Sequence, residues 1–270
     1  MPPVFALLAF YAFAMGAIVG SFCNVVIHRW PREESVVFPG SHCPRCNAPI
    51  RWFDNLPVLS WLILRGRCRS CGEGINIRYP LVELANGLFY LAIFLRTGIS
   101  IDFLPLAAVV SMTLVLIWID LDVQLLPDVV NYPGIAVGLG VGALGLGSRY
   151  PDLMLSHSLT DSALGIGAGA GVLLAVALAY KLIRKTEGMG LGDVKMLALI
   201  GAVSGIRAIL PVMLIASTTG AVAGVALAIA QKRDYRFALP FGVFLGIAFL
   251  TVIFFAQELV DWYFGLLVSS

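Results

Sequence analysis

Charge is what this sequence has least of. Asp, Glu, Lys and Arg together make up only 13% of its 270 residues, and His occurs three times. A soluble domain carries roughly 25% charged residues, so an ordinary water-soluble enzyme is excluded. A disordered chain is excluded as well, because 59% of the residues are hydrophobic and disorder requires the opposite balance. Five cysteines do not make a secreted disulfide scaffold. The first apolar segment, Val4 to about Ile27, contains no charge and has no basic start. It also exceeds the roughly 7–15-residue core of a cleavable signal, so it reads as a retained membrane helix.

What the chain does have is apolar length. Its mean hydropathy is +0.92, the composition of a polytopic membrane protein whose spans each need about 20 apolar residues. After the first segment, spans are expected near Pro80–Phe94, Phe103–Trp118, Val130–Leu146, Leu164–Tyr180, Val194–Val203, Ala208–Ala230 and Leu239–Leu267. The fold class is thus all-α, with about eight transmembrane helices. Val194–Val203 is short and requires its flanks to be buried in the bundle. Glycine is abundant in these runs, as in closely packed membrane helices. Gly16 and Gly20, four apart, fit either a packing face or ordinary membrane glycine.

From His28 to Tyr79 the composition changes. Eight arginines (29, 32, 45, 51, 65, 67, 69 and 78) fall here, together with Cys43, Cys46, Cys68 and Cys71. The expected organisation is a first helix over residues 1–27, a water-facing insert over 28–79, and a membrane domain over 80–270. If the insert lies on one side of the membrane, alternate loops add Lys181, Arg184, Lys185, Lys195, Lys232, Arg233 and Arg236 to that side. The opposite side holds only Arg96, Arg149 and Arg207. The positive-inside rule then places the insert in the cytoplasm.

Cys43-Pro-Arg-Cys46 and Cys68-Arg-Ser-Cys71 have metal-ligand spacing. Four thiolates make a closed tetrahedral zinc site with no open position for catalysis, so the metal's expected role is structural. A disulfide or redox role is the alternative, opposed by the reducing cytoplasm. His42 reads as a solvated loop residue, and Cys23 as a small buried one within the first helix.

Carboxylates at helix ends carry the catalytic signal, since ionisable groups at membrane depth usually face a bundle interior or a water-filled cavity. Asp120, Asp122 and Asp128 lie in one segment, and Asp193 follows the alternating Gly188, Gly190 and Gly192. No Gly-Lys-Ser/Thr ending follows those glycines, so phosphate binding is dismissed. If Asp120 and Asp193 meet, they share one proton. One group then takes a proton from water and the other donates to a carbonyl oxygen, the two roles peptide hydrolysis needs. Glycines before Asp193 would let a substrate backbone approach closely. The bland readings are a helix cap for Asp128 or Asp193, a solvated Asp122, and an Asp193–Lys195 ion pair. A proton- or ion-coupled carrier would use the same carboxylates.

The motifs, in order, are Gly20-Ser-Phe-Cys-Asn-Val-Val-Ile-His-Arg29, Cys43-Pro-Arg-Cys46, Asp54-Asn-Leu-Pro-Val-Leu-Ser-Trp61 and Arg65-Gly-Arg-Cys-Arg-Ser-Cys71. Then come Arg78-Tyr-Pro-Leu-Val-Glu83, Ile119-Asp120 with Leu126-Pro-Asp128, and Gly188-Met-Gly-Leu-Gly-Asp-Val-Lys195. Together they resemble the type IV prepilin peptidases, bifunctional leader peptidases and N-methyltransferases of bacterial pilus and type II secretion systems. The resemblance implies an eight-helix inner-membrane aspartic protease of the Gly-x-Gly-Asp type. Its catalytic pair maps onto Asp120 and Asp193, with Asp128 the nearest rival for the first role. It implies prepilin and pseudopilin substrates, cut after a glycine on the cytoplasmic side. Methylation of the new N-terminal residue from S-adenosylmethionine is also implied. Methyl transfer is associated with the cysteine domain, where Gly66 matches a glycine implicated in that step. The bilayer is the other expected partner; no nucleic acid is expected, and oligomeric state carries no signal. Two departures stand out: Cys23 replaces an aliphatic residue, and Gly147–Asp161 lengthens the stretch between Asp128 and Asp193, as a loop on the far side.

Overall fold

The computed structural model describes residues 3–185, 190–231 and 239–268. Among them the chain is helical: α1 (Pro3–Arg29), α2 (Leu59–Ile63), α3 (Arg78–Thr97), α4 (Phe103–Val123), α5 (Asp128–Ala143), α6 (Leu146–Arg149), α7 (Leu159–Arg184), α8 (Leu191–Ser204), α9 (Ile206–Gln231) and α10 (Phe241–Val268). Each apolar run expected to be helical forms a helix, although that over Val130–Leu146 ends at Ala143, before Gly145 at a φ of 61°, and that over Leu239–Leu267 begins at Phe241. Among the described residues five segments are long and apolar enough to cross a membrane: Pro3–Arg32, Phe103–Val123, Leu159–Arg184, Ile206–Ala230 and Phe241–Glu258. α5 and α8, at 16 and 14 residues, are shorter than a full span. Two compact units divide the chain, Met1–Val115 and Leu116–Ser270.

In the first unit α1 and α3 lie side by side. A Cβ at Gly20 would come 2.8 Å from the Cα of Glu83, and one at Gly16 would come 2.8 Å from the carbonyl oxygen of Asn86. Backbones this close leave room for hydrogen only, so both glycines belong to a packing face. The contact is pinned by Asn86, whose Nδ2 donates to the Gly16 carbonyl at 2.7 Å. Ser111 donates to Asn86 Oδ1 at 3.0 Å, with the Tyr90 hydroxyl 3.1 Å from Ser111. Asn86 is fully buried. Satisfied buried polar groups fix the register of helices that apolar contacts alone would let slide.

In the second unit α8 is the central helix. Every residue from Met196 to Ser204 is buried, which is how so short an apolar segment is accommodated. α7 meets it glycine to glycine: a Cβ at Gly201 would collide with the backbone carbonyl of Gly165. The stretch after α5 is not a free loop. Leu153, Leu155 and Ser156 are buried, the Ser156 amide donates to the Val203 carbonyl at 2.9 Å, and the Met154 amide donates to Ile253 at 3.0 Å. It therefore ties the end of α8 to the middle of α10. Ser158 then caps α7, accepting the Asp161 amide at 3.1 Å.

Gly201→Val is expected to destabilise the protein by about 2 kcal/mol or more, since the obstacle is rigid backbone and overpacking of this kind typically costs 1–3 kcal/mol. Thermal unfolding in detergent checks this; a transition unchanged from the parent would contradict the packing described.

Candidate active site and metal centre

The cysteine-rich insert contains one structural motif twice. In the first copy the Asn47 amide donates to the Cys43 carbonyl at 2.9 Å, the Cys43 amide to Ala48 at 3.0 Å and the Ile50 amide to Ser41 at 2.9 Å. In the second, Gly72 donates to Cys68 at 2.9 Å, Cys68 to Glu73 at 2.7 Å and Ile75 to Gly66 at 2.7 Å. The three bonds recur at the same offsets from the first cysteine of each pair. Each turn needs a positive φ directly after its second cysteine, supplied by Asn47 (54°) and Gly72 (73°); these two residue types tolerate that region best.

All four Sγ atoms lie within 4.8 Å of one another. Cys43 and Cys71 are 3.8 Å apart at sulfur, too far for a disulfide and close to the edge of a tetrahedron of thiolates about 2.3 Å from a central ion. All four are free thiols. Backbone N–H groups of Cys46 and Arg45 hold the Cys43 thiol down at about 6, favouring the thiolate a metal binds. Donor set and spacing therefore fit a tetrahedral metal ion. His42 is exposed, its Nδ1 3.0 Å from the Gly40 carbonyl, and takes no part in the cluster.

The Asp54–Trp61 motif braces this insert. Arg69 makes a forked contact to Asp54, Nε at 3.0 and 2.9 Å and Nη2 at 2.6 Å, and holds that carboxyl below its ordinary range. Ser60 is buried, accepting the Leu56 amide and donating to the Phe53 carbonyl. Glu83, buried near the start of α3, accepts the Val58 amide at 2.7 Å. Val58 has a φ of 62°, a conformation a β-branched residue adopts only when its surroundings impose it. Gly66 has a φ of 66°, and a Cβ there would lie 2.9 Å from the Trp61 ring. The indole in turn donates to the Ile75 carbonyl at 3.0 Å. Gly66 thus joins the motif's tryptophan to the second cysteine turn.

The carboxylates of interest lie in the second unit. Asp120, on the last turns of α4, is buried, and its Oδ2 accepts the Val243 amide at 2.9 Å at the start of α10. Asp193 stands in the first turn of α8 and is half-buried. Leu126 packs against both surroundings. Its side chain would lie 2.9 Å from a Cβ at Gly192 and 2.9 Å from one at Gly242. Thus one leucine fills the space beside the residue preceding Asp193 and beside the turn that holds Asp120.

Asp128 is placed differently. It is exposed, in the first turn of α5, and pairs with Lys195 Nζ at 2.6 and 2.9 Å. That ammonium also lies 5.5 Å from the Tyr132 ring centre. Lys195 is therefore the partner of Asp128 and not of Asp193, as an ion pair of sequence neighbours would have had it. Pro127, not Asp128, occupies the cap position of α5. Asp122 is exposed. Gly190 and Gly192 lead into Asp193, while Gly188 and Met189 lie outside the described residues, as do Lys232, Arg233 and Arg236. Sequence reasoning missed Gly242 and Val243. The available signal was Pro240 just ahead of an apolar run, a helix-start mark that gives no hint of what the helix start would hold.

Residues 14–97 match the family pattern described as Bacterial Peptidase A24 N-terminal domain, and residues 107–225 match that described as Type IV leader peptidase family. The first range contains the four cysteines and the second contains Asp120 and Asp193. The chain is 36% identical over 270 residues to a prepilin leader peptidase/N-methyltransferase of Pseudomonas putida, covering 92% of this chain and 91% of that protein. It is likewise 36% identical to the protein of that name from Aeromonas hydrophila, over 93% of this chain and 92% of the relative. A Myxococcus xanthus protein of the same name is 40% identical over 84% of this chain, which spans 65% of that longer relative. No solved structure matches the chain.

The purified protein is expected to hold one tightly bound divalent metal per chain, and Cys46→Ser or Cys68→Ser to lose it. Elemental analysis checks this, with limited proteolysis reporting the accompanying loosening of residues 41–75; intact metal in both variants would contradict the cluster.

Proposed function

As the chain belongs to the type IV leader peptidase family, we propose that it removes the leader of prepilins and related pseudopilins by an aspartate-pair mechanism. What supports this reading is that Leu126 lies against both Gly192, the neighbour of Asp193, and Gly242, which lies against Asp120, while Asp128 is occupied by Lys195. Repulsion between neighbouring carboxylates favours a single proton across the pair. That arrangement supplies a base for water and an acid for the scissile carbonyl without a covalent intermediate. Gly190 leaves open space for an extended substrate backbone near Asp193, while Gly192 makes room for Leu126. The relatives' names favour peptidase over the carrier reading of the same carboxylates.

The remaining assignments rest on the same membership. Zinc is the ion that best suits four thiolates in a closed tetrahedron, and its role is to fold the insert. The relatives' second named activity suggests that the chain also methylates the new N-terminal residue from S-adenosylmethionine. Gly66 is the residue we associate with that step, acting through the shape of the Trp61–Cys71 segment that it allows. The setting is the bacterial inner membrane, with the insert and the cleavage chemistry on the cytoplasmic side, as the distribution of Lys and Arg implies.

Asp120→Asn and Asp193→Asn are each expected to lower cleavage of a purified prepilin by at least about a hundredfold, the low end of what a general acid or base contributes. Asp128→Asn is expected to retain most activity. Product masses, read with and without S-adenosylmethionine, check this; substantial cleavage by either of the first two variants would refute the pair. Gly66→Ala is expected to lower methylation while cleavage continues, measured in the same assay as the ratio of methylated to unmethylated product.

A further inference from the structure

The two carboxyl groups differ in what surrounds them. Asp120 is buried against the start of α10, where Oδ2 accepts the Val243 amide at 2.9 Å and lies beside Gly242. The first amides of a helix have no partner within it, and they form the positive end of its dipole. Hydrogen bonds of this kind favour a carboxylate over a carboxylic acid. The approach is possible because residue 242 is glycine: a Cβ there would lie 2.8 Å from Asp120 Oδ2, with Leu126 closing the other side at 2.9 Å. Asp193 also stands in a first helical turn, but among the described residues no amide reaches its carboxyl. Asp193 is the charged group that faces Asp120. Asp128 and Lys195 are engaged with each other, and Asp122 is exposed, two residues along α4. Among the described residues neither Asp120 nor Asp193 has a cationic partner.

Resting on the peptidase reading, we propose that Asp120 is the ionised base, that Asp193 carries the shared proton, and that Gly242 is the positioning residue that enforces this division. Asp120 takes a proton from water as the water oxygen bonds to the scissile carbonyl carbon, and Asp193 gives its proton to the carbonyl oxygen. When the C–N bond breaks, Asp120 passes its proton to the leaving nitrogen. Asp193 recovers one from a hydroxyl of the intermediate, so the pair returns to its starting state with one water consumed.

Gly246 provides the control. It lies one turn along α10, where a Cβ would collide with Ile117, so it serves the α4–α10 contact without touching Asp120. In Gly242→Ala the carboxyl is pushed from the Val243 amide, its charged form is less favoured, and the acidic limb of the kcat/KM–pH profile moves to higher pH. A shift of about one unit is expected, the scale of one hydrogen bond to a charged group, with kcat about tenfold lower and KM little changed. Gly246→Ala should lower thermal stability and leave the limb in place. A parental limb in folded, active Gly242→Ala overturns the division of roles. Should Gly242→Ala not accumulate, infrared spectra of the parent, Asp120→Asn and Asp193→Asn at neutral pH decide. The protonated-carboxyl stretch is expected to vanish in Asp193→Asn; its persistence there and loss in Asp120→Asn reverses the assignment. Cleavage by either Asn variant would instead sink the aspartate pair on which this division rests, and a parent protein that leaves the prepilin uncut would sink the peptidase reading itself.

Discussion

A carboxyl group buried at the end of an apolar helix must find hydrogen-bond donors, because water cannot supply them there and an unsatisfied buried charge is costly. For Asp120 the donor is the Val243 main-chain amide at the start of α10, a helix that begins more than a hundred residues later in the chain. Much of the second unit follows from that requirement. Gly242 has to lack a side chain, Leu126 has to fill the remaining gap, and Gly192 has to leave room for the same leucine. The turn from Leu126 to Asp128 thus has two jobs. Its leucine packs between the aspartate-bearing segments, and its aspartate holds Lys195, so that this cation pairs away from the pair.

The same principle, backbone polarity satisfied by long-range contacts, accounts for the cysteine insert. A segment of this size buries too little apolar surface to stabilise itself well, and here its order comes from pairing polar groups. The two cysteine turns satisfy their own amides in an identical pattern. The segment between them is braced by the Arg69–Asp54 fork, by Ser60, and by Glu83 reaching from α3 to the Val58 amide. A bound ion would add to a scaffold whose turns already present the thiolates. Glu83 also explains how Val58 is held at a positive φ, since a charge-assisted bond to its amide offsets part of the strain.

Glycine serves a third purpose in the helix contacts. Between apolar helices in a bilayer there is no hydrophobic gain from leaving lipid, so close approach and interhelical hydrogen bonds carry the association. Gly16 and Gly20 on α1 and the Gly165–Gly201 meeting of α7 and α8 are such approaches. They also explain how α8 is buried over nine consecutive residues despite its length: its neighbours come near enough to cover it on every side.

The helical segments, the polar insert and the thiol cluster were legible in the sequence, because each rests on local composition or spacing. Residue patterns alone left Asp120 and Asp193 as a candidate pair beside helix caps and a carrier, and the resemblance singled them out. Apolar length sets a helix in a membrane, and a Cys-x-x-Cys turn presents its thiols whatever lies elsewhere. Tertiary structure alone decided which bland reading each charged residue would take. Lys195 chose Asp128 over the nearer Asp193, the Gly147–Asp161 stretch became a clasp between the end of α8 and the middle of α10, and an unremarked glycine at 242 came to lie against Asp120. Such choices depend on distances between segments remote along the chain, and a hydrogen bond or ion pair that closes over many tens of residues leaves no periodicity to read.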